Sequence, residues 1–299
     1  MKAPGIVRWY GGKGNLREKI LPLIPPGGRP YCEPFAGAAS ILFARKPAPV
    51  EVLNDLHGDL INLYRCFQDR EKFEELKHRL SYTLYSRAEL GRALEILNSD
   101  ERDSILRAWA FFVASNMSMS GVIGTIGYWS RTFRERKGEQ GSENAVAFLK
   151  RQRWFDVWHH RLQKIQIDNR DAIEVIRYWD NPDAVFYLDP PYHQETRRSR
   201  KVYRHEASDD FHVRLVETIL QCRGAVVLSG YDHPVYQPLT DRGWEKIVFE
   251  VSCHAPRPLR TVDCEEGPEE RPPRQEIVWR NPQAVQKCQG GVKKQGLVF

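Results

Sequence analysis

An apolar run, Ala184-Val185-Phe186-Tyr187-Leu188, leads directly into Asp189-Pro190-Pro191-Tyr192. The run reads as a buried strand, so a carboxylate, two rigid prolines and an aromatic ring sit at a strand's carboxyl end. In an open α/β sheet that is where ligands bind. An ionised Asp189 accepts a hydrogen bond from an amino N–H. Pro190 has no N–H and a fixed φ, so it stiffens the loop and offers its carbonyl as a second acceptor. Two acceptors on one exocyclic amine favour a pyramidal nitrogen with a less delocalised lone pair, which makes that nitrogen a nucleophile. Tyr192 supplies a face for a flat base, a contact of about 1–3 kcal/mol in nucleic-acid sites. The competing reading is a strand closed by a Pro-Pro turn, with Asp as turn former and Tyr as core.

The elements that must position this motif lie mostly in the first sixty residues. Pro30-Tyr31-Cys32-Glu33-Pro34-Phe35-Ala36-Gly37-Ala38-Ala39-Ser40 runs from a strand through a tight turn into the helical pattern Ile41-Leu42-Phe43-Ala44. Its small residues let a ligand approach the backbone, although the full dinucleotide fingerprint is absent. Val50-Glu51-Val52-Leu53 reads as a second strand ending in Asn54-Asp55. An acid about twenty residues after a glycine turn is the usual holder of ribose hydroxyls, and equally a common helix N-cap. Upstream, Arg8-Trp9-Tyr10-Gly11-Gly12-Lys13-Gly14 joins aromatics, a flexible turn and a cation; the alternative there is a mobile arm.

Taken in order, these motifs resemble the Dam-like, D12 class of adenine-specific DNA methyltransferases. Trp9-Tyr10-Gly11-Gly12-Lys13 looks like that family's N-terminal cofactor motif, Glu33 to Gly37 like its glycine motif, and Asn54-Asp55 like its ribose pair. Asp189-Pro190-Pro191-Tyr192 matches its catalytic motif in full. The likeness extends to Phe211-His212, Leu215, the strand Ala225 to Ser229, and Gln275 to Asn281. It implies an α/β, Rossmann-like catalytic domain that binds S-adenosylmethionine, with an inserted, mostly helical target-recognition subdomain. By the resemblance, Trp9, Tyr10, Gly12, Lys13, Glu33, Pro34, Phe35, Ala36, Gly37, Asp55, Asp171 and Asp189 bind cofactor, and Asp189, Pro190, Pro191 and Tyr192 are catalytic.

Two segments depart from the family pattern. Ala172 stands where the family usually has a Phe, so Asp171 is left to contact the cofactor's adenine without that stacking partner. Asn116, Ser120 and Gly121, with Gly124-Thr125-Ile126-Gly127, match the family's DNA-reading hairpin in spacing only. The activity is therefore implied and the target sequence is not.

The chain of 299 residues is long enough for one α/β domain with a sizeable insert. Its net charge of +6 is unevenly spread. Residues 131–164 hold nine Lys or Arg, including Arg131 and Arg134, against four acids, a net of +5. Arg197, Arg198, Arg200, Lys201 and Arg204 add five cations with no acid among them, starting five residues after Tyr192. Such clusters beside a site read as DNA phosphate contacts, or else as a solvated face. The six cysteines have no C-x-x-C pair or metal-ligand spacing, which suits a reducing cytoplasm, and no metal is expected. No apolar stretch resembles a signal peptide or a membrane span, so a cytoplasmic protein is expected.

Residues 1–60 and 165–299 are expected to form the catalytic domain and 61–164 the recognition insert. Helical periodicity covers 60–107, Trp109 to Val113 reads as a core helix, Gly138 to Asn144 as a loop, and Phe148 to Leu162 as one helix with Trp154, Phe155 and Trp158 packed inward. The proline- and glutamate-rich stretch from Pro256 to Pro273 reads as an exposed loop before a final strand, Glu276 to Trp279, and Lys287 to Phe299 as a poorly ordered tail. The expected reaction is methylation of adenine N6 in DNA, double-stranded, after base flipping, by a monomer or weak dimer. A cognate restriction endonuclease is a possible partner. The rivals are an RNA or protein N-methyltransferase, cytosine N4 methylation, for which the resemblance would give Ser at 189, and a non-catalytic DNA-binding relic.

Overall fold

The computed structural model describes residues 2–9, 11–13, 16–124, 129–132, 134–135, 140–192, 208–251 and 274–295. Five parallel strands, β1 (Tyr31–Glu33), β2 (Glu51–Asn54), β3 (Gln166–Asp168), β4 (Val185–Leu188) and β5 (Ala225–Gly230), are joined by β6 (Glu245–Val251) and β7 (Arg274–Arg280) into a seven-stranded sheet. The order is β3-β2-β1-β4-β5-β7-β6, with β7 antiparallel to both neighbours. The chain runs outward from β1 through β2 to β3, then crosses to β4 on the other side of β1. The crevice between the carboxyl ends of β1 and β4 is thus the topological switch point, where ligands of such sheets bind.

Strands β1, β2, β4 and β5 are buried throughout, which is why β4 and the start of β5 read as unbroken apolar runs, while β1 and β2 bury Glu33, Glu51 and Asn54 at their ends. Their residues alternate between two cores. Tyr31, Leu53, Val185, Tyr187 and Val227 face one; Cys32, Val52, Phe186, Leu188 and Leu228 face the other. Each fully buried large apolar side chain contributes about 1.5–3 kcal/mol, so a one-residue slip of any central strand would be strongly disfavoured.

The first core is covered by α1 (Arg17–Ile20), α2 (Ser40–Ala44) and a run of helices: α3 (Gly58–Gln68), α4 (Arg70–Ser81), α5 (Arg87–Asn98), α6 (Ser104–Met117), α7 (Glu143–Gln152) and α8 (Phe155–Leu162). Caps set their starts: Asp69 accepts from Lys72 N, Ser86 from Glu89 N, Asp103 from Ile105 N and Leu106 N, and Ser142 from Ala145 N. The second core lies under α9 (Ala172–Trp179), α10 (Asp209–Leu220) and α11 (Gln237–Asp241). Residues 61–164 share one continuous core with the sheet, so their helices are the layer that buries one sheet face.

Three local expectations change. The single helix over 148–162 is two, because the chain turns at Arg153-Trp154; Phe155 and Trp158, three residues apart, share the buried face of the second. Strand β6, unassigned from sequence, pairs along the whole of β7. The tail from Lys287 is helical to Gln295 in α12 (Pro282–Gln295): Pro282 opens the helix, the Asn281 carboxamide accepts from Ala284 N at 2.9 Å, and Ala284 is fully buried.

Candidate active site

The N-terminal arm is packed rather than loose. Arg151 donates to Gly5 O at 2.7 Å and Ile6 O at 3.2 Å, and the Trp158 indole donates to Pro4 O at 2.9 Å, so α7 and α8 hold the arm down. Ile6 N then donates to Ala38 O at 3.1 Å, laying the arm along the turn after β1. In that turn Gly37 has φ +46, and a Cβ there would stand 2.9 Å from the Trp9 ring. Both the backbone conformation and the close approach require glycine. Ala39 is also left-handed, at φ 52, and its N–H donates to Ala36 O at 2.7 Å.

The ends of β2 and β3 fix the same turn through polar side chains. Asp55 accepts from Gly37 N and from His57 N, both at 2.9 Å. Asn54 is fully buried, donates to Pro34 O and Arg170 O at 3.0 Å, and accepts from Arg170 N at 2.9 Å. One side chain therefore ties together the loops after three strands. Asp171 caps α9 by accepting from Ile173 N at 2.8 Å, and Ala172 is buried behind it.

Charged side chains occupy the end of β4. Lys13, 4% exposed, places Nζ 2.6 Å from Asp189 Oδ1 and 3.3 Å from Glu276 Oε1. It also donates to the Tyr192 hydroxyl and sits 4.6 Å from the centre of that ring. The Tyr192 hydroxyl in turn donates to Glu276 Oε1 at 2.5 Å. Ser229, at the end of β5, donates to Asp189 Oδ1 at 3.1 Å. Burial lowers the Lys13 ammonium's pKa, but the two carboxylates outweigh it and the net shift is upward. Burial pushes Glu276 up despite Lys13, and pushes Glu33 up to about 8 despite the hydrogen bond from Tyr31 OH at 2.7 Å. The Tyr192 ring is only 6% exposed and lies against Tyr231, centroids 4.4 Å apart, so its stacking face is covered in this conformation.

A single cleft at the switch point gathers Trp9, Gly12, Lys13, Glu33, Phe35, Ala36, Gly37 and Asp189. Pro34 and Asp55 stand behind its wall through the Asn54 and Gly37 bonds, and Asp171 lies beyond Asn54 on the β3 loop. Pro190 is buried and Pro191 half-buried between Asp189 and Tyr192. Tyr10, Arg197, Arg198, Arg200 and Lys201 lie outside the described residues. The reading from sequence overlooked Glu276 and Ser229 as members of this cluster. An acid heading an otherwise apolar strand, Glu276-Ile277-Val278-Trp279, was the available signal.

Among the described residues, those assigned to DNA do not form one surface. Asn116 is 2% exposed inside α6 and donates to Phe112 O at 2.9 Å. Gly121 has φ +74 and faces Arg8 O so closely that a Cβ would lie 2.5 Å from it, so it serves the N-terminal arm. Ser120 sits in the same short turn, Met119–Gly121. Arg131 and Arg134 are exposed. Among the described residues no group of acids, histidines and cysteines has a metal-binding arrangement, and no helix is long and apolar enough to cross a membrane.

Known proteins with related sequences fit this geometry. The chain is 29% identical over 118 residues to a DNA N-6-adenine-methyltransferase of Escherichia phage P1, a match covering 39% of this chain and 15% of that protein. It is 23% identical over 256 residues to a type II methyltransferase of Lactococcus lactis subsp. cremoris, covering 78% of this chain and 82% of the relative. Over 62 residues it is 37% identical to a type II methyltransferase of Paramecium bursaria Chlorella virus NC1A, covering 20% of this chain and 24% of the relative. The profile of one family spans residues 9–236, from the Trp9 arm through the β4 motif to beyond β5. With its glycine cradle and Asp189 facing one cleft, the chain belongs to the D12 class of N6 adenine-specific DNA methyltransferases.

Proposed function

We propose that this protein methylates the N6 amino group of adenine in double-stranded DNA, using S-adenosylmethionine. The observation that supports it best is the meeting of Asp189 with the Gly37 turn in one cleft at the switch point. The cleft suits the cofactor: the cradle at Gly37 has no room for a Cβ, so a ligand can approach its backbone, and Glu33 lines the cleft as a carboxyl that a positively charged ligand would draw into its ionised form. Bound there, S-adenosylmethionine supplies an electrophilic methyl group on a positive sulfur that leaves as a neutral thioether. Glu33, Trp9 and the backbone at 36–37 would hold it, and Asp55, whose carboxylate has about four acceptor positions, would take ribose hydroxyls.

Asp189 and the Pro190 carbonyl accept from the two amino N–H groups of the base and keep its lone pair available. Tyr192 gives the flipped base a face, which partly offsets the few kcal/mol that extrusion costs. For both to happen, Lys13 must leave Asp189, and the Tyr192 ring must part from Tyr231 as well as from Lys13. Most of the rate enhancement then comes from fixed geometry, a regime worth about 7–11 kcal/mol in favourable cases. Arg131 and Arg134, with Arg197, Arg198, Arg200 and Lys201, would contact phosphates, so binding should weaken steeply with salt. The protein is proposed to act in the cytoplasm, and the type II relatives suggest a cognate restriction endonuclease.

The test is to incubate the protein with unmethylated DNA and labelled S-adenosylmethionine, digest the DNA, and identify the modified nucleoside by mass spectrometry. N6-methyladenine that vanishes in Asp189→Ala is the expected result. Cofactor binding without any modified base in DNA would move the substrate to RNA or protein.

A further inference from the structure

The methyl-transfer reading leaves Glu276 without a task. It lies on β7, outside the residues the family profile covers, and is 5% exposed. Burying a carboxylate there is costly unless it is paired. Its Oε1 accepts from the Tyr192 hydroxyl at 2.5 Å and stands 3.3 Å from Lys13 Nζ. The same ammonium is 2.6 Å from Asp189 Oδ1. One cation is thus shared by the carboxylate that must receive the target amine and by a second carboxylate that has no contact with that position.

We infer that Glu276 is a positioning residue: it holds the Tyr192 hydroxyl and takes over the Lys13 ammonium when the target amine arrives at Asp189. The inference rests on the proposed function. An ammonium on a carboxylate adds the attraction of two full charges to its hydrogen bond, which a neutral amine in its place does not have. On those terms the adenine would lose the contest for Asp189. Glu276 changes the exchange, because Lys13 re-centres on an oxygen it already touches and stays paired. A third group near both, Ser229, donates to Asp189 Oδ1 and so steadies that carboxylate once the lysine has moved.

The experiment compares Glu276→Gln and Glu276→Ala with the wild type in methyl transfer at saturating DNA, in cofactor affinity by calorimetry, and in the NMR titration of the Lys13 ammonium. The Lys13 signal is assigned by its loss in Lys13→Met. Glutamine keeps an acceptor for Tyr192 and removes only the charge. Turnover in Glu276→Gln should fall roughly thirtyfold, the scale on which loss of a buried charge partner is felt. It should fall about as far as in Glu276→Ala, while cofactor affinity stays near wild type and the Lys13 titration moves down. Wild-type turnover in Glu276→Gln, or an unmoved Lys13 titration, overturns the inference. So does a parallel loss of turnover, cofactor affinity and thermal stability, which marks a merely structural residue. If the wild type itself makes no N6-methyladenine, the functional reading fails first, and the Lys13 titration alone decides whether Glu276 shares the ammonium.

Discussion

The two walls of the cleft are built in different ways. On the β1 side, backbone groups form the cradle and are fixed by side chains that spend themselves on it: Asp55 on Gly37 N and His57 N, Asn54 on the loops at Pro34 and Arg170. On the β4 side, side chains hold one another: Lys13 with Asp189, Tyr192 and Glu276. A backbone cradle has one arrangement and is ready for its ligand. A cluster of ionised side chains has at least two, because its cation can be re-paired without unfolding anything. The difference fits a cofactor that enters a preformed seat and a base that must displace a resident group.

Substitutions should separate the two walls. Asp189→Ala acts on the β4 side alone, so methyl transfer should drop by a thousandfold or more, ~4 kcal/mol of barrier, while cofactor affinity changes little. Equal losses in both would mean that the walls are not independent. Gly37→Ala acts on the other wall, forcing a Cβ into the Trp9 ring at a left-handed backbone position. The conformational term alone is roughly 1–2 kcal/mol. Cofactor affinity should fall by tenfold or more with a change in Trp fluorescence, and a wild-type dissociation constant would show that the cradle is not the seat. Asp55→Ala removes the acceptor for two backbone donors, a loss of about 1–3 kcal/mol if they stay buried. It should weaken cofactor binding about tenfold while leaving turnover at saturating cofactor within a few-fold of wild type. Unchanged affinity would remove Asp55 from the site.

The same contrast governs what the sequence reveals. The cradle wall was legible because it is local: apolar strands ending in Glu33-Pro34, Asn54-Asp55 and Asp189-Pro190 announce where the ends of β1, β2 and β4 lie. The ion cluster was legible only in part, because Lys13, Asp189 and Glu276 are far apart in the chain and nothing local pairs them. Asn116 looked like a surface reader for its Asn and Gly neighbours, yet it follows Phe111-Phe112-Val113-Ala114, a stretch apolar on every side, and such a helix is buried all round. The break between α7 and α8 was hidden because Phe155 and Trp158 fit one continuous helical stripe as well as two short ones. The tail helix was hidden by its glycines, whereas the Asn281 cap that starts it is a tertiary arrangement bonded to β5 through Val226 N.

Glu33 gives the finest test of the preformed wall, because at any one pH the effect amounts to a single proton. Burial raises its carboxyl to about 8 from the ordinary 4.5, with Asp189 adding to the rise and Tyr31 and Arg45 opposing it. The folded state therefore keeps a proton that the unfolded chain has already lost between these two values. This group's contribution to stability is full below pH 4.5 and is lost as pH rises through about 8. A positively charged ligand favours the ionised form, so at pH 6 to 7 its binding must expel that proton. Cofactor affinity should rise with pH by up to about tenfold per unit and level off above 8. Calorimetry in two buffers of different ionisation enthalpy counts the proton directly, with close to one released at pH 6.5 and none in Glu33→Gln. Glutamine still accepts the Tyr31 hydrogen bond, so its loss of pH dependence would isolate the charge from the packing. A wild type that binds without releasing a proton would mean that Glu33 does not face the cofactor's positive charge, and the β1 wall would then be a shape without an electrostatic part.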